Sequence, residues 1–230
     1  MSVQDVKMEE DNPITYIQLL EPKVREMFKS ESSGHDIDHL QRVSKLALHL
    51  QEKEGGDKLV IGVAAYLHDV HRLTEKQTGK FNPPKESLPA VKQLLEDVNF
   101  PSDKIGMVLH CIEFHEEYGF SSKGKTVADL ETLILQDADN LDAIGAIGIG
   151  RTFAFGGANN LPMWIPGKPF DRNTYDESER DPSTLHHFYS KLLKLGENMN
   201  TETARQMASE RHKCMEEFVD RFKHEWDGEI

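Results

Sequence analysis

The sequence has few cysteines and no long hydrophobic run, and each absence narrows the class of protein. Two cysteines in 230 residues, Cys111 and Cys214, are too few for a framework of disulfide bonds, so we expect a reducing compartment, the cytoplasm. The longest apolar run covers nine residues, Leu59 to Leu67, which is too short to span a bilayer. The first ten residues carry three acidic side chains and no apolar stretch, so we expect no secretory signal there.

Basic residues are scarce relative to acidic ones. Lys and Arg number 27 against 40 Asp and Glu, which gives a formal net charge of −13. A charge of this sign argues against nucleic acid or an anionic membrane as a partner. Histidine, in contrast, is abundant, with eleven residues set against those carboxylates. This combination is the feature that calls for a functional explanation.

Hydrophobic residues recur at helical spacing through most of the chain, and no alternation typical of β-strands persists beyond a few residues. We therefore predict an all-α protein in which residues 1–230 form a single helical bundle. The predicted helical segments cover residues 13–29, 36–54, 57–69, 85–98, 102–118, 126–153, 183–197 and 201–227. Residues 156–182 are rich in Gly, Pro, Asn and Asp and are predicted to form one long loop, a lid, a binding loop or a disordered segment.

Histidines and aspartates interrupt the apolar faces of three predicted helices. His39 lies on the buried edge of its helix, His68 and Asp69 end the most apolar helix, and Asp139 lies within an apolar segment. Buried charges are costly unless they are paired or bind a metal ion. Two imidazoles and two carboxylates are too rich in nitrogen for a calcium site and lack the thiolates of structural zinc. The set therefore predicts a site for Mn²⁺, Fe²⁺, Mg²⁺, Ni²⁺, Co²⁺ or catalytic Zn²⁺.

Three motifs around these residues resemble those of the HD-domain superfamily of metal-dependent phosphohydrolases. They are GHDIDHLQRV at 34–43, AAYLHD at 64–69 and DADNL at 137–141. The resemblance to the core covers roughly residues 15–155, on which C-terminal helices at about 183–227 are expected to pack. Segments such as HFYSKLL at 187–193 are similar to one branch of small HD proteins, some of which act on nucleoside triphosphates as pyrophosphohydrolases.

The resemblance implies a role for each motif residue by position. The implied metal ligands are His39, His68, Asp69 and Asp139. Asp139 rather than Asp137 takes this role because the family's ligand directly precedes a Lys–Leu or Asn–Leu pair. Asp137 and His35 are then expected to orient the ligands without binding the metal ion.

The sequence departs from the family beyond the second motif. Some HD nucleotidases have a carboxylate or a histidine three residues after the HD aspartate, close to the attacking water. Here that residue is Arg72, preceded by His71. Arginine cannot act as a base at ordinary pH but is well suited to hold phosphate. The candidate catalytic residues are thus Asp69, His71 and Arg72, with His71 in either an acid–base role or a hydrogen-bonding one. A separate base is not required, since a divalent metal ion lowers the pKa of water.

Several basic residues are candidates for contact with a substrate phosphate. They are Arg72, Lys76, Lys80, Arg42, His110, His115 and Arg151. Arg42 is either a partner of Asp38 or a substrate contact. His110 and His115 are separated by about 140° on one predicted helix, so we expect one inside and one outside. Because binuclear HD proteins add two histidines in this interval, a second metal site is the alternative.

These features predict an enzyme that hydrolyses a phosphate ester or phosphoanhydride with one divalent metal ion. The expected substrate is a small phosphorylated compound, and a nucleotide fits best. Two other functions stay open from the sequence: a binuclear iron oxygenase, and a nucleotide-binding regulator without turnover. The sequence does not indicate the oligomeric state, and a homodimer is one option.

Overall fold

The protein is all-α, as the spacing of hydrophobic residues predicted. The computed structural model describes residues 11–29, 31, 34–121, 124, 126–168 and 181–230, with the side chain of Lys76 excepted, and contains no β-strand within them. Among these residues, no helix combines the length and the apolar character needed to cross a bilayer. Residues 169–180 of the predicted loop lie outside the described residues.

The helices follow one another with short connections. The first six are α1 (Pro13–Met27), α2 (Ile37–Glu54), α3 (Lys58–Leu67), α4 (Arg72–Thr78), α5 (Leu88–Asp97) and α6 (Ser102–Phe114). The next two are α7 (Leu130–Asp142) and α8 (Gly145–Ala158). A short α9 (Thr184–His187), a π-helical turn (Phe188–Leu192) and α10 (Leu193–Leu195) lead to the long α11 (Glu202–Trp226).

Helix α3 is the centre of the bundle. Every residue from Leu59 to Leu67 is buried, and α3 contacts α1, α2, α6 and α7. A helix that is hydrophobic on all sides requires such a position. Its start is fixed by Asp57, whose carboxylate accepts hydrogen bonds from the backbone N–H groups of Leu59 and Val60. At its end, residues His68–His71 form a 3₁₀ turn.

Two further helix starts position the residues of interest. The Asp36 carboxylate accepts a hydrogen bond of 2.9 Å from the backbone N–H of His39, which places His39 in the first turn of α2. Asp129 caps α7 by accepting from the backbone N–H of Thr132 at 3.0 Å. Because α2 packs against both α3 and α7, the three helices hold the predicted ligands on facing surfaces.

The predicted helical segment 126–153 is two helices rather than one. Ile144 is extended, and Gly145 has a φ of +74°, a conformation that favours glycine. The chain therefore changes direction between α7 and α8. The predicted loop also begins later than expected, since α8 continues to Ala158. Helix α11 packs against α8 and α7. Phe153 of α8, Phe188 of the π-helical turn, and Phe218 and Phe222 of α11 form an aromatic cluster between α8 and α11.

Two glycines of α8 offer a matched test of how closely α8 approaches the backbone that follows α7. A Cβ atom at Gly148 would lie 2.1 Å from the carbonyl oxygen of Ala143, whereas a Cβ at Gly150 would meet nothing within 4 Å. We predict that Gly148→Ala lowers the free energy of unfolding by about 1–3 kcal/mol through overpacking. Gly150→Ala should raise it by roughly 0.5–1 kcal/mol through helix propensity. Urea unfolding monitored by circular dichroism measures both, and equal effects would contradict the packing described.

Candidate metal centre

The predicted ligands meet between α2, α3 and α7. His39 comes from the first turn of α2, His68 and Asp69 from the turn that ends α3, and Asp139 from α7. The side chains of His39 and His68 are fully buried, and that of Asp69 is 3% exposed. The side chain of Asp139 is 18% exposed and lies at the edge of the cluster that solvent reaches. The cluster is therefore a buried site with one accessible edge.

The distances among the four side chains suit a single metal ion. His39 Nε2 lies 3.2 Å from Asp69 Oδ2 and 3.5 Å from Asp139 Oδ1. His68 Nε2 lies 3.6 Å and 3.7 Å from oxygens of the same two carboxylates. Ligands bound at about 2.1 Å are about 3.0 Å apart across an octahedral edge and about 3.4 Å apart across a tetrahedral one. The observed spacings fall close to those edges.

The hydrogen bonds of the two histidines fix which nitrogen can bind a metal ion. His39 Nδ1 lies 2.8 Å from Asp142 Oδ2, and His68 Nδ1 lies 2.8 Å from the carbonyl oxygen of Ala65. Because both partners are acceptors, each Nδ1 carries the proton and donates it. Each Nε2 of the neutral ring then presents a lone pair, and the two Nε2 atoms lie 3.2 Å apart. Two lone pairs at this distance repel each other unless a proton or a metal ion lies between them.

The electrostatics of the cluster point the same way. Burial opposes ionisation of Asp69, yet His68 and His35 hold the pKa of its carboxyl well below its ordinary value. For His68, the carboxylates of Asp69 and Asp139 outweigh burial and raise the pKa to about 9. The site thus retains a positive charge at Nε2 of His68. Because a metal ion competes with that proton, binding of the ion is expected to release it.

The charged side chains in and around the cluster carry a net negative charge that a divalent ion would balance. Five carboxylates and three guanidinium groups belong to the cluster or are joined to it through successive ion pairs. They are Asp69, Asp139, Asp142, Glu75 and Glu116, with Arg42, Arg72 and Arg151. With neutral histidines, the excess is two negative charges, which one divalent ion balances. The donor set and the charge therefore both fit the predicted metal ion.

The residue that orients His39 is Asp142, which the sequence did not single out for this role. Its carboxylate accepts from His39 and from Nε and Nη2 of Arg42 at 2.7 and 3.0 Å. Burial alone would raise the pKa of Asp142. The hydrogen bonds from His39 and Arg42 outweigh burial and lower the pKa of Asp142 to about 2. Arg42 therefore binds Asp142 rather than Asp38, which was one of the two contacts predicted for it.

Asp137, which was predicted to orient a ligand, contacts another part of the chain. Its two oxygens accept hydrogen bonds of 2.7–2.8 Å from the backbone N–H groups of Asn200 and Thr201 and from the Thr201 hydroxyl. These contacts fix the start of α11. His35, by contrast, lies beside a ligand as expected, with Nδ1 2.8 Å from Asp69 Oδ2.

Arg72 is already surrounded by carboxylates of its own chain. It is paired with Glu116, lies 2.6 Å from Glu75 and 3.6 Å from Asp69. This arrangement corrects the expectation of a free phosphate clamp at this residue. Its neighbour His71 is buried, with Nδ1 3.2 Å from the carbonyl oxygen of His68 and Nε2 3.7 Å from Glu116. No sequence pattern pointed to Glu116, which is 44 residues away from Arg72.

His110 of α6 and His115, which follows the last residue of α6, are one exposed and one buried, as their angular separation predicted. His110 is exposed and pairs with Asp129 at 3.0 Å, away from the metal ligands. His115 is buried, and its Nδ1 donates to the carbonyl oxygen of Ile112 at 2.6 Å. Its Nε2 has no hydrogen-bond partner among the described residues, although a nitrogen of His115 lies within 4.8 Å of donor atoms of His68 and Asp69.

The remaining candidates for contact with a substrate phosphate differ in their distance from the metal centre. Arg151 reaches the centre from α8, with Nη2 3.4 Å from His39 Nε2 and Nη1 3.1 Å from Asp142. Lys80 is exposed in the turn that follows α4. The side chain of Lys76 lies outside the described residues.

Two aspartates of α7 allow the assigned roles to be tested. Asp142→Asn removes the charge that orients His39, so we predict that the affinity for Mn²⁺ falls about 10- to 100-fold. Asp137→Asn weakens the hydrogen bonds to α11, so it should reduce stability by about 1–3 kcal/mol and leave the affinity for Mn²⁺ near that of wild type. Titration calorimetry and thermal unfolding separate the two effects. The reverse outcome would exchange the two roles.

Comparison with known proteins identifies the family. The sequence profile of the HD domain matches residues 36–144. Bacillus subtilis YpgQ is 34% identical over 208 residues, which are 89% of this chain and 91% of YpgQ. A structure of an HD-superfamily hydrolase from Bacillus thuringiensis is 37% identical with a TM-score of 0.67, and the match covers 94% of this chain and 99% of that one. A structure of YpgQ in complex with ADP has a TM-score of 0.70 at 29% identity, and the match covers 93% of this chain and 96% of that one. The chain therefore belongs to the HD-domain superfamily, as its three motifs indicated.

Proposed function

We propose that this protein is a metal-dependent phosphohydrolase that cleaves a phosphate ester or phosphoanhydride of a nucleotide. The observation that carries the proposal is the pair of Nε2 lone pairs of His39 and His68, 3.2 Å apart between the carboxylates of Asp69 and Asp139. The family supports it, since the Bacillus thuringiensis neighbour is an HD-superfamily hydrolase. The complex of YpgQ with ADP supports a nucleotide as the ligand.

The four side chains would hold one divalent ion, Mn²⁺, Fe²⁺, Mg²⁺, Ni²⁺, Co²⁺ or Zn²⁺. When bound, such an ion polarises a phosphoryl oxygen and lowers the pKa of water. The task of the chain is to keep both histidines in the binding tautomer. Asp142 does so for His39, and the carbonyl oxygen of Ala65 does so for His68.

Arg151 is the residue best placed to bind the phosphate. Its Nη2 lies 3.4 Å from both His39 Nε2 and His35 Nδ1, and its Nε donates to the carbonyl oxygen of Gly34. Asp142 already pairs with Nη1 of Arg151, which leaves Nη2, directed at the ligand nitrogens, as the donor for a phosphate at the centre. Arg72, neutralised by Glu75 and Glu116, instead positions Asp69 in this proposal.

His115 is the proposed acceptor for a proton or hydrogen bond at the buried side. Its Nε2 lone pair has no partner among the described residues. Burial, although opposed by Glu116, lowers the pKa of His115 to about 4, so that its ring is neutral at neutral pH. His71 is less suited to this role because its Nε2 is directed at Glu116.

The ligand set can be tested by removing either carboxylate. We predict that Asp69→Ala and Asp139→Ala lose Mn²⁺ binding and hydrolysis together, because each removes one of four ligands. Both variants should remain helical by circular dichroism. Asp220→Ala, which removes an exposed aspartate of α11, is the matched control and should behave as wild type. Wild-type turnover in either ligand variant would refute the assignment.

A nucleotide panel distinguishes this function from the alternatives. The Mn²⁺-loaded protein should release phosphate or pyrophosphate from at least one nucleotide and contain about one metal ion per chain. Binding of nucleotides without release of either product would favour a regulator. Two iron ions per chain with a mixed-valence signal would favour the oxygenase, for which His115 is the histidine near the centre. We place this activity in the cytoplasm, a proposal consistent with two cysteines that form no disulfide.

A further inference from the structure

Phe155 is an aromatic side chain in an unusual position for its helix. The residue is 39% exposed, although phenylalanine is usually buried. Two residues earlier, Phe153 packs in the aromatic cluster formed with α11. Among the described phenylalanines, only Phe155 and Phe81 are exposed. The position of Phe155 is therefore not explained by the core.

Phe155 shares a face of α8 with Arg151. The two residues are four apart and so project from the same side of the helix, one turn from each other. Arg151 is fixed by Gly34, Asp142 and the ligand His39. This face of α8 consequently presents a guanidinium group at the metal centre and an exposed ring immediately beyond it.

His35 connects the ring to the centre. Its Nδ1 lies 2.8 Å from Asp69, and its ring centroid lies 6.3 Å from that of Phe155 at an angle of 80°. A perpendicular contact of this kind covers at most one face of the phenylalanine ring. Another planar group can therefore stack on the ring at the edge of the site.

We propose that Phe155 is the surface on which the base of the substrate stacks, an inference that rests on the proposed function. A phosphate held beside Arg151 leaves the rest of a nucleotide to extend outward along α8. The base of that nucleotide, one sugar away, then reaches an apolar ring rather than a charged group. Because stacking tolerates every base, this contact selects nucleotides over sugar phosphates without choosing among the bases.

The test compares two ligands that differ only in the base. Titration calorimetry on the Mn²⁺-loaded full chain would measure the affinities for AMP and for ribose 5-phosphate. Wild type should bind AMP about tenfold more tightly, the effect of one stacked base. Phe155→Leu keeps an apolar side chain but removes the ring, so the preference should fall to about one. Phe155→Met serves the same purpose if the leucine variant fails to fold.

Two controls make the result specific. Phe155→Tyr retains the ring and should retain the preference for AMP, and Trp226→Leu removes an exposed aromatic side chain at the end of α11 and should also retain it. An undiminished preference in Phe155→Leu, or an equal loss of affinity for both ligands, would overturn the stacking role alone. Wild-type protein that binds neither AMP, ADP nor ribose 5-phosphate would overturn the proposed function as well.

Discussion

The structure depends on one repulsive arrangement that a cation must relieve. Nε2 of His39 and Nε2 of His68 present lone pairs to each other at 3.2 Å, with ionised Asp69 and Asp139 on either side. Because each Nδ1 is bound to a fixed acceptor, the repulsion is relieved either by a second proton, on Nε2 of His68, or by a metal ion in its place. The residues come from three helices that pack directly on one another. An ion bound here would therefore be coupled to the packing of α2, α3 and α7, and it would stabilise the fold as well as supply the proposed chemistry.

The charges around the centre are organised in two groups. Asp142 joins Arg42 of α2 to Arg151 of α8, and Arg72 joins Glu75 to Glu116. Buried charges of this kind are stable only when they are paired, and each pairing here also restrains a residue next to a metal ligand. The net charge of −13 is compatible with the proposed anionic substrate, because a divalent ion would cancel the local excess of two negative charges.

The sequence was most informative where a polar residue interrupts an apolar helix. His39, His68, Asp69 and Asp139 all do so, and the structure places both histidines within 3.7 Å of both carboxylates. The helical angle between His110 and His115 likewise separated the exposed residue from the buried one.

Contacts between distant segments were beyond the reach of sequence spacing. Asp137 binds residues 63 and 64 positions later, and Arg72 binds Glu116 across 44 positions. Asp142 could have been identified, since it lies one turn after Asp139 on the same face of α7. Its choice of His39 and Arg42 as partners depends on the packing of α2 against α7, which no local pattern encodes.

The break between α7 and α8 is the feature that completes the site. Along one straight helix, Arg151 would lie twelve residues beyond Asp139, about 18 Å further along the axis. It could not then contact His39 and Asp142. The chain changes direction at Gly145, where φ is positive, and α8 then runs back past the cluster. Arg151 can therefore contact His39 and Asp142. The HD profile ends at residue 144, so this helix lies beyond the part that the superfamily shares. The proposed ligands belong to the shared core, whereas the residues proposed to hold phosphate and base belong to the helix that follows it.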